Sequence, residues 1–198
     1  MDLTPFSLIG TAVFAASGAL AADQKRFDIV GALFLSVAAG LGGGTLVDLL
    51  IGHAPVRWVA DPTPLWIAAG AGALVFVGVR YMRPPLKTLD WADAAGLAVF
   101  AATGMERLTA AALSPAMAVL LTCIGACGGG IVRDVLANRA PLVFSGELYV
   151  TGVLLGGIAY LGAEALAPGA GLWAALVVTA VVRSAGLIFG LRLIHGRG

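Results

Sequence analysis

Apolar residues fill this chain in long blocks, and polar residues gather between them. Seven blocks are legible, at 3–22, 27–51, 65–79, 91–108, 114–136, 148–166 and 171–191. A helix needs about 20 apolar residues to cross the hydrocarbon core of a bilayer. The pattern therefore predicts an all-α membrane protein with seven transmembrane helices. The third block is short, and it can lengthen through Arg80 and Tyr81 if the arginine reaches back to the interface. The fourth can run past Glu106. Pro62, Pro64, Pro84, Pro85 and Pro168 fall between blocks, where helices stop.

The blocks also repeat. The segment "GLGGGTLVD" in the second block returns as "GACGGGIVRD" in the fifth, and Gly42 falls on Gly128. The same ungapped shift of 86 positions lays "GTAVFAASG" at Gly10–Gly18 on "GLAVFAATG" at Gly96–Gly104. It also lays Asp48 on Asp134, Ala54-Pro55 on Ala140-Pro141, Asp61 on Glu147 and Gly70 on Gly156. Residues 1–81 read as a first three-helix repeat, 88–167 as a second, and 168–198 as a seventh helix with its tail. Three is odd, so the second repeat enters the membrane from the opposite face. Inverted repeats of this kind place their sites near the midplane, on interrupted helices in matching positions. Glycine costs about 1 kcal/mol in a helix interior relative to alanine. The triplets Gly42, Gly43, Gly44 and Gly128, Gly129, Gly130 are therefore expected to kink or break the second and fifth helices. Close helix packing is the other reading.

Composition and charge sharpen this picture. The chain is 60% hydrophobic and 12% charged, about half the charge of a soluble domain, which leaves no room for a separate soluble unit. The net charge of +1 gives no reason to expect nucleic acid as a partner. Across seven spans, Lys25, Arg26, Arg80, Arg83, Lys87, Arg133, Arg139, Arg192 and Arg197 fall on one side, and Arg57 and Arg107 on the other. Basic residues accumulate on the cytoplasmic side. The N-terminus is expected outside and the C-terminus in the cytoplasm, most naturally of a bacterial-type inner membrane. The start "MDLTPFSLIG" lacks a basic leader, so the first span is expected to be retained. Cys123 and Cys127 read as small packing residues.

Charged residues inside apolar blocks are the candidate chemistry. Asp48 and Asp134 each lie four residues past a triplet, about 6 Å along a helix. In inverted repeats one would stand toward each mouth of a central path, where carboxylates concentrate cations. Pairing with a nearby base is the alternative for Asp134, beside Arg133 and Arg139, whereas Asp48 has no adjacent base. Arg133 stands where the first repeat has Val47, and Arg183 lies deep in the last span. A buried arginine costs at least about 2.5 kcal/mol unless paired or hydrated, so Asp48, Asp93 or Asp134 are its candidate partners. Asp93 itself reads as an interfacial acid, and His53 and His195 as solvated. No metal-ligand spacing, nucleophile–base set or phosphate loop is present. Neither an enzyme nor a bound cofactor is expected, beyond permeating ions and a possible role for bound lipid.

The paired triplets and "RDVLANRAP" resemble the prokaryotic TRIC family, the trimeric intracellular cation channels, over essentially the whole chain. The resemblance implies a homotrimer with one pore in each protomer. That pore would be lined by the kinked second and fifth helices and would pass K⁺ with some Na⁺. Animal members carry a Lys-Glu-Val motif tied to phosphoinositide lipids. Here the positions after the first triplet read "TLVD", without a lysine. Some bacterial relatives are associated with glycine transport, so a small-solute transporter on the same scaffold is the competing expectation. A scaffold without conductance would leave the intramembrane Asp48 and Arg183 unexplained.

The orientation is directly testable. Reporter fusions after Tyr81 and at the C-terminus should read cytoplasmic, and a fusion at Val56 should read external. A cytoplasmic reading at Val56 would reverse both the orientation and the odd-span repeat.

Overall fold

The computed structural model describes residues 4–82, 84, 85, 87–144 and 148–191. Arg83, Glu147, Arg192, His195 and Arg197, which entered the sequence reading, lie outside the described residues. The described chain is α-helical, with no strand. Its α-helices are α1 (Thr4–Gln24), α2 (Ile29–Leu50), a short α3 (Arg57–Ala60), α4 (Thr63–Met82), α5 (Thr88–Ala110), α6 (Pro115–Leu136), α7 (Tyr149–Leu166) and α8 (Gly171–Phe189). A 3₁₀ turn at Leu142–Phe144 follows α6.

Local chemistry explains several ends. Asp28 precedes α2 and accepts the Gly31 N–H at 2.8 Å, which satisfies one donor of the first turn. Ser114 precedes α6, with Pro115 in the first turn, where a missing N–H costs nothing. α8 ends on Gly190 in the left-handed region, φ 63°. The expectation did not include α3, which lies between two prolines in "PVRWVADP" and brings Arg57 and Trp58 to the end of α2.

Six of the seven long helices are long and apolar enough to cross a membrane, and α5 is not among them. Asp90, Asp93, Glu106 and Arg107 lower its apolarity. Yet α5 is deeply buried, packed against α1, α6, α7 and α8. Its polar groups therefore meet protein rather than lipid: Glu106, for example, accepts from the Tyr160 hydroxyl at 2.7 Å.

The repeat governs the helix bounds. Shifted by 86 positions, α2 covers 115–136, which is the extent of α6, and α4 begins where α7 begins. The two glycine helices cross against each other. A Cβ at Gly43 would collide with the Gly125 carbonyl oxygen, and a Cβ at Gly129 would collide with that of Ala39. Gly43 and Gly129 are repeat partners, and so are Ala39 and Gly125. Such reciprocal contacts are the mark of a local two-fold axis. Later residues of α2 meet earlier residues of α6, with Val47 beside Gly125 and Ala39 beside Gly129, so the helices run antiparallel.

Neither triplet interrupts its helix: α2 and α6 are each continuous α-helix through residues 42–44 and 128–130. What the structure shows at the middle glycines is backbone-to-backbone approach, for which a missing Cβ is required. In the first triplet the outer glycines are less confined, whereas Gly128 and Gly130 face the side chains of Leu46 and Tyr149. Gly44 has no neighbour within 4 Å of where its Cβ would be.

These contacts predict a graded response to one methyl group. Gly43→Ala and Gly129→Ala should each destabilise the protein by at least about 2 kcal/mol, since backbone cannot yield as a side chain can. Gly44→Ala should be neutral or stabilising by up to about 1 kcal/mol, as alanine is the better helix former. Thermal unfolding in detergent checks this ranking. Equal melting of all three variants would remove the crossing from its central place.

Candidate functional site

At the α2–α6 crossing, the third glycine of each triplet faces a different environment. Gly44 lines a cavity of about 470 Å³ that opens at the end of the bundle where α2 finishes. Thr11, Asp48, Arg57, Trp58 and Arg107 share its wall. Its partner Gly130 faces a filled space, bounded by the Tyr149 hydroxyl, Asp93 and Arg133. A pseudo-symmetric scaffold is thus open on one side of the crossing and occupied on the other.

Sequence differences between the repeats account for this. Ser7 lines the open cavity where the second repeat has Asp93. Thr63 corresponds to Tyr149, and Val47 to Arg133. In the second repeat three larger or charged side chains, Asp93, Arg133 and Tyr149, close over Gly130, whereas Gly44 has open space beside it.

At the open mouth Asp48 is buried, one turn past Gly44. Its Oδ2 accepts the Arg57 backbone N–H at 3.1 Å, and both oxygens accept Arg57 Nε, at 3.2 and 3.3 Å. Arg57 Nη2 also pairs with Oδ1, as does Arg107 Nη2 at 3.1 Å. The expectation of an acid without a base is corrected here. Arg57 arrives on α3, nine residues on, and Arg107 from α5, 59 residues on. Trp58 Nε1 donates to Thr45 Oγ1 at 2.9 Å and fastens α3 to α2. At the rim, the Thr63 hydroxyl and N–H donate to Asp61 at 2.7 and 3.0 Å, which holds its carboxyl below the usual range. His53 is exposed, with Nδ1 3.1 Å from the Pro55 carbonyl oxygen.

At the closed mouth Asp134 plays the corresponding part. Its Oδ2 accepts the Leu142 N–H at 3.1 Å and its Oδ1 accepts Arg133 Nε at 2.9 Å. Each repeat therefore uses its aspartate to fasten the segment that follows the glycine helix. Arg133 does more. Its Nη1 reaches Asp93 Oδ1 at 2.6 Å and the Ser17 hydroxyl at 2.8 Å, and Ser17 in turn donates to the Phe14 carbonyl at 2.7 Å. Arg133 and Asp93 are fully buried, so the reading of Asp93 as an interfacial acid is corrected: it is an internal ion-pair partner. Arg133 Nη2 and Asp93 Oδ2 have no hydrogen-bond partner among the described residues. The guanidinium of Arg183, also fully buried, lies 4.9 Å from the centre of the Tyr149 ring. Asp48 is bonded by Arg57 and Arg107, and Asp93 and Asp134 by Arg133.

The two clusters stand at opposite ends of the bundle. Asp93 and Arg107 are fourteen residues apart on α5, about 21 Å of helix. Both cysteines are free and buried, as packing residues would be. Among the described residues no His, Cys, Asp and Glu group is arranged to hold a metal ion. Sequence reasoning missed Arg57, Arg107, Ser17 and Tyr149. One signal was available for the first two, which are the basic residues left on the minority side of the charge split.

The comparisons agree with this architecture. A family model described as "Glycine transporter" matches twice, at 5–80 and 90–165. The UPF0126 inner membrane protein YadS of Escherichia coli K12 is 44% identical over 154 residues, 77% of this chain and 74% of that protein. The TRIC trimeric intracellular cation channel orthologue from Rhodobacter sphaeroides superposes with a TM-score of 0.90 at 34% identity, covering 95% of this chain and 98% of that one. A prokaryotic TRIC channel solved in 0.5 M KCl gives a TM-score of 0.90 at 30% identity, with 98% and 99% covered.

The buried cluster makes a quantitative prediction. Arg133→Ala leaves Asp93 and Asp134 without their cation and should cost about 3–5 kcal/mol of stability. Adding Asp93→Asn removes one uncompensated charge, so the double variant should melt higher than Arg133→Ala alone. Additive losses would mean that the two side chains act independently.

Proposed function

This chain belongs to the prokaryotic TRIC family, and from that premise we propose that it is a monovalent cation channel, a homotrimer passing K⁺ and some Na⁺ through a path within each protomer. One observation carries this reading: a cavity with Asp48, Arg57 and Arg107 on its wall reaches Gly44 beside the glycine crossing, while the equivalent position of the other repeat, Gly130, is covered by a buried ion-pair cluster. Solved relatives described as TRIC cation channels support the same reading.

On this reading α5 is the seventh span, its charges compensated inside the protomer. The open mouth faces outward and the Arg133 cluster inward, as the distribution of basic residues implies. Gly42, Gly43, Gly44, Gly128, Gly129 and Gly130 form the narrow centre, where α2 and α6 can bend as the path opens. Breaking Arg133 from Asp93 and moving Tyr149 off Gly130 would open the inner half. Cations are favoured at the centre because small residues leave carbonyl groups accessible to a partly dehydrated ion.

A second reading has a specific basis. A bundle open at one mouth and plugged at the other, around a two-fold crossing, also suits a carrier with alternating access, and the matching family model is described as a glycine transporter. Reconstitution separates the two. Purified protein in a planar bilayer under a KCl gradient should give unitary currents that reverse toward the K⁺ equilibrium potential. Saturable uptake of labelled glycine into liposomes, without unitary currents, would replace the channel with the carrier.

A further inference from the structure

The open cavity holds two charges of each sign, Asp48 and Asp61 against Arg57 and Arg107. Its deepest acid is masked. Asp48 is buried beneath two guanidinium groups, while the Arg57 and Arg107 side chains remain 40% and 26% exposed toward the opening. The two arginines are not equivalent. Arg57 holds Asp48 through its backbone N–H as well as its side chain, and so fastens α3 to α2. Arg107 comes from α5, in the other repeat, and touches Asp48 through Nη2 alone. Its repeat counterpart is Ala21, so nothing in the shared scaffold requires a cation there.

We propose that Arg107 determines cation entry at this mouth, masking Asp48 so that the carboxylate cannot act as a full entry site for a monovalent cation. The proposal rests on the channel reading. Asp48 stands about 6 Å from the crossing, where a carboxylate raises the local cation concentration. A guanidinium remains charged at every accessible pH. Asp48, Arg57 and Arg107 together carry one net positive charge, offset only by Asp61 at the rim, and a partly exposed cation beside the entry opposes the approach of another cation. Without the Arg107 charge the three sites become neutral, yet Asp48 keeps its bonds to Arg57 and α3 stays in place. Arg107 is thus a specificity-determining residue whose charge can be removed without releasing the loop.

The test uses the full chain in bilayers at low and high KCl, with Arg107→Gln, Arg107→Lys and the double variant Arg107→Gln, Asp48→Asn. Arg107→Gln should raise unitary K⁺ conductance about two- to five-fold at 50 mM KCl. The gain should shrink toward none at 1 M, where screening length falls to about 3 Å. Arg107→Lys, which keeps the charge, should return most of the way, and adding Asp48→Asn should abolish the gain. Thermal unfolding must show intact protein. If Arg107→Gln melts early, Arg107→Met, which retains the aliphatic stem, takes its place. Unchanged or lower conductance at 50 mM in folded protein overturns the proposal.

Absence of currents from the unmodified protein would instead defeat the channel reading. The masked site is then tested by the shift of the unfolding midpoint in KCl against N-methylglucamine chloride. Arg107→Gln should gain a K⁺-specific stabilisation that the double variant lacks, and no gain in Arg107→Gln overturns the masking.

Discussion

The Cβ atoms that Gly43 and Gly129 lack are the constraint on which the rest of this structure depends. Carbonyl oxygens of Ala39 and Gly125 lie within the space those atoms would need. The approach fixes α2 against α6 with almost no freedom in rotation or register. It thereby sets where everything farther along those helices must lie. Gly44 and Gly130 fall on either side of the crossing, and Asp48 and Asp134 one turn beyond them, toward opposite ends of the bundle. Each aspartate then takes a backbone N–H from the segment that follows its helix, Arg57 in one repeat and Leu142 in the other.

On that near-symmetric frame a few side chains create an asymmetry between the two ends. Charges removed from water cost several kcal/mol each unless compensated. The second repeat meets that cost by bridging Asp93 and Asp134 with Arg133, and it fills the remaining volume with Tyr149. The first repeat keeps Ser7, Thr63 and Val47 at the equivalent positions, and a cavity results. On the channel reading, the same economy of small differences makes one mouth a filter and the other a gate.

Much of the fold was legible because apolar runs and repeats are one-dimensional signals. Blocks at 27–51 and 114–136 became α2 and α6 almost unchanged, and the shift of 86 positions carried directly into helix bounds. The glycine triplets were recognised as important, but composition cannot separate a break from a close crossing, since both need the same absent side chain. The partners of Asp48 were not legible. Arg57 lies nine residues on, beyond a loop that α3 folds back, and Arg107 lies 59 residues away, where its approach depends on how α5 packs. Asp93 was misread for the same reason: an acid near a helix start resembles an interfacial cap until a buried guanidinium is found beside it.

The sequence by itself determined that this is a helical membrane protein built from two related halves, because burial in lipid demands apolar length and duplication preserves spacing. It also marked which residues could carry charge into the interior. Only the tertiary structure decided which charges meet. Ion pairs between Arg107 and Asp48, or between Arg133 and Asp93, depend on helices that are distant in the chain and adjacent in space. Their compensation is a property of packing, and packing decided that Arg133, Asp93 and Tyr149 meet in one space while their counterparts in the first repeat leave a cavity.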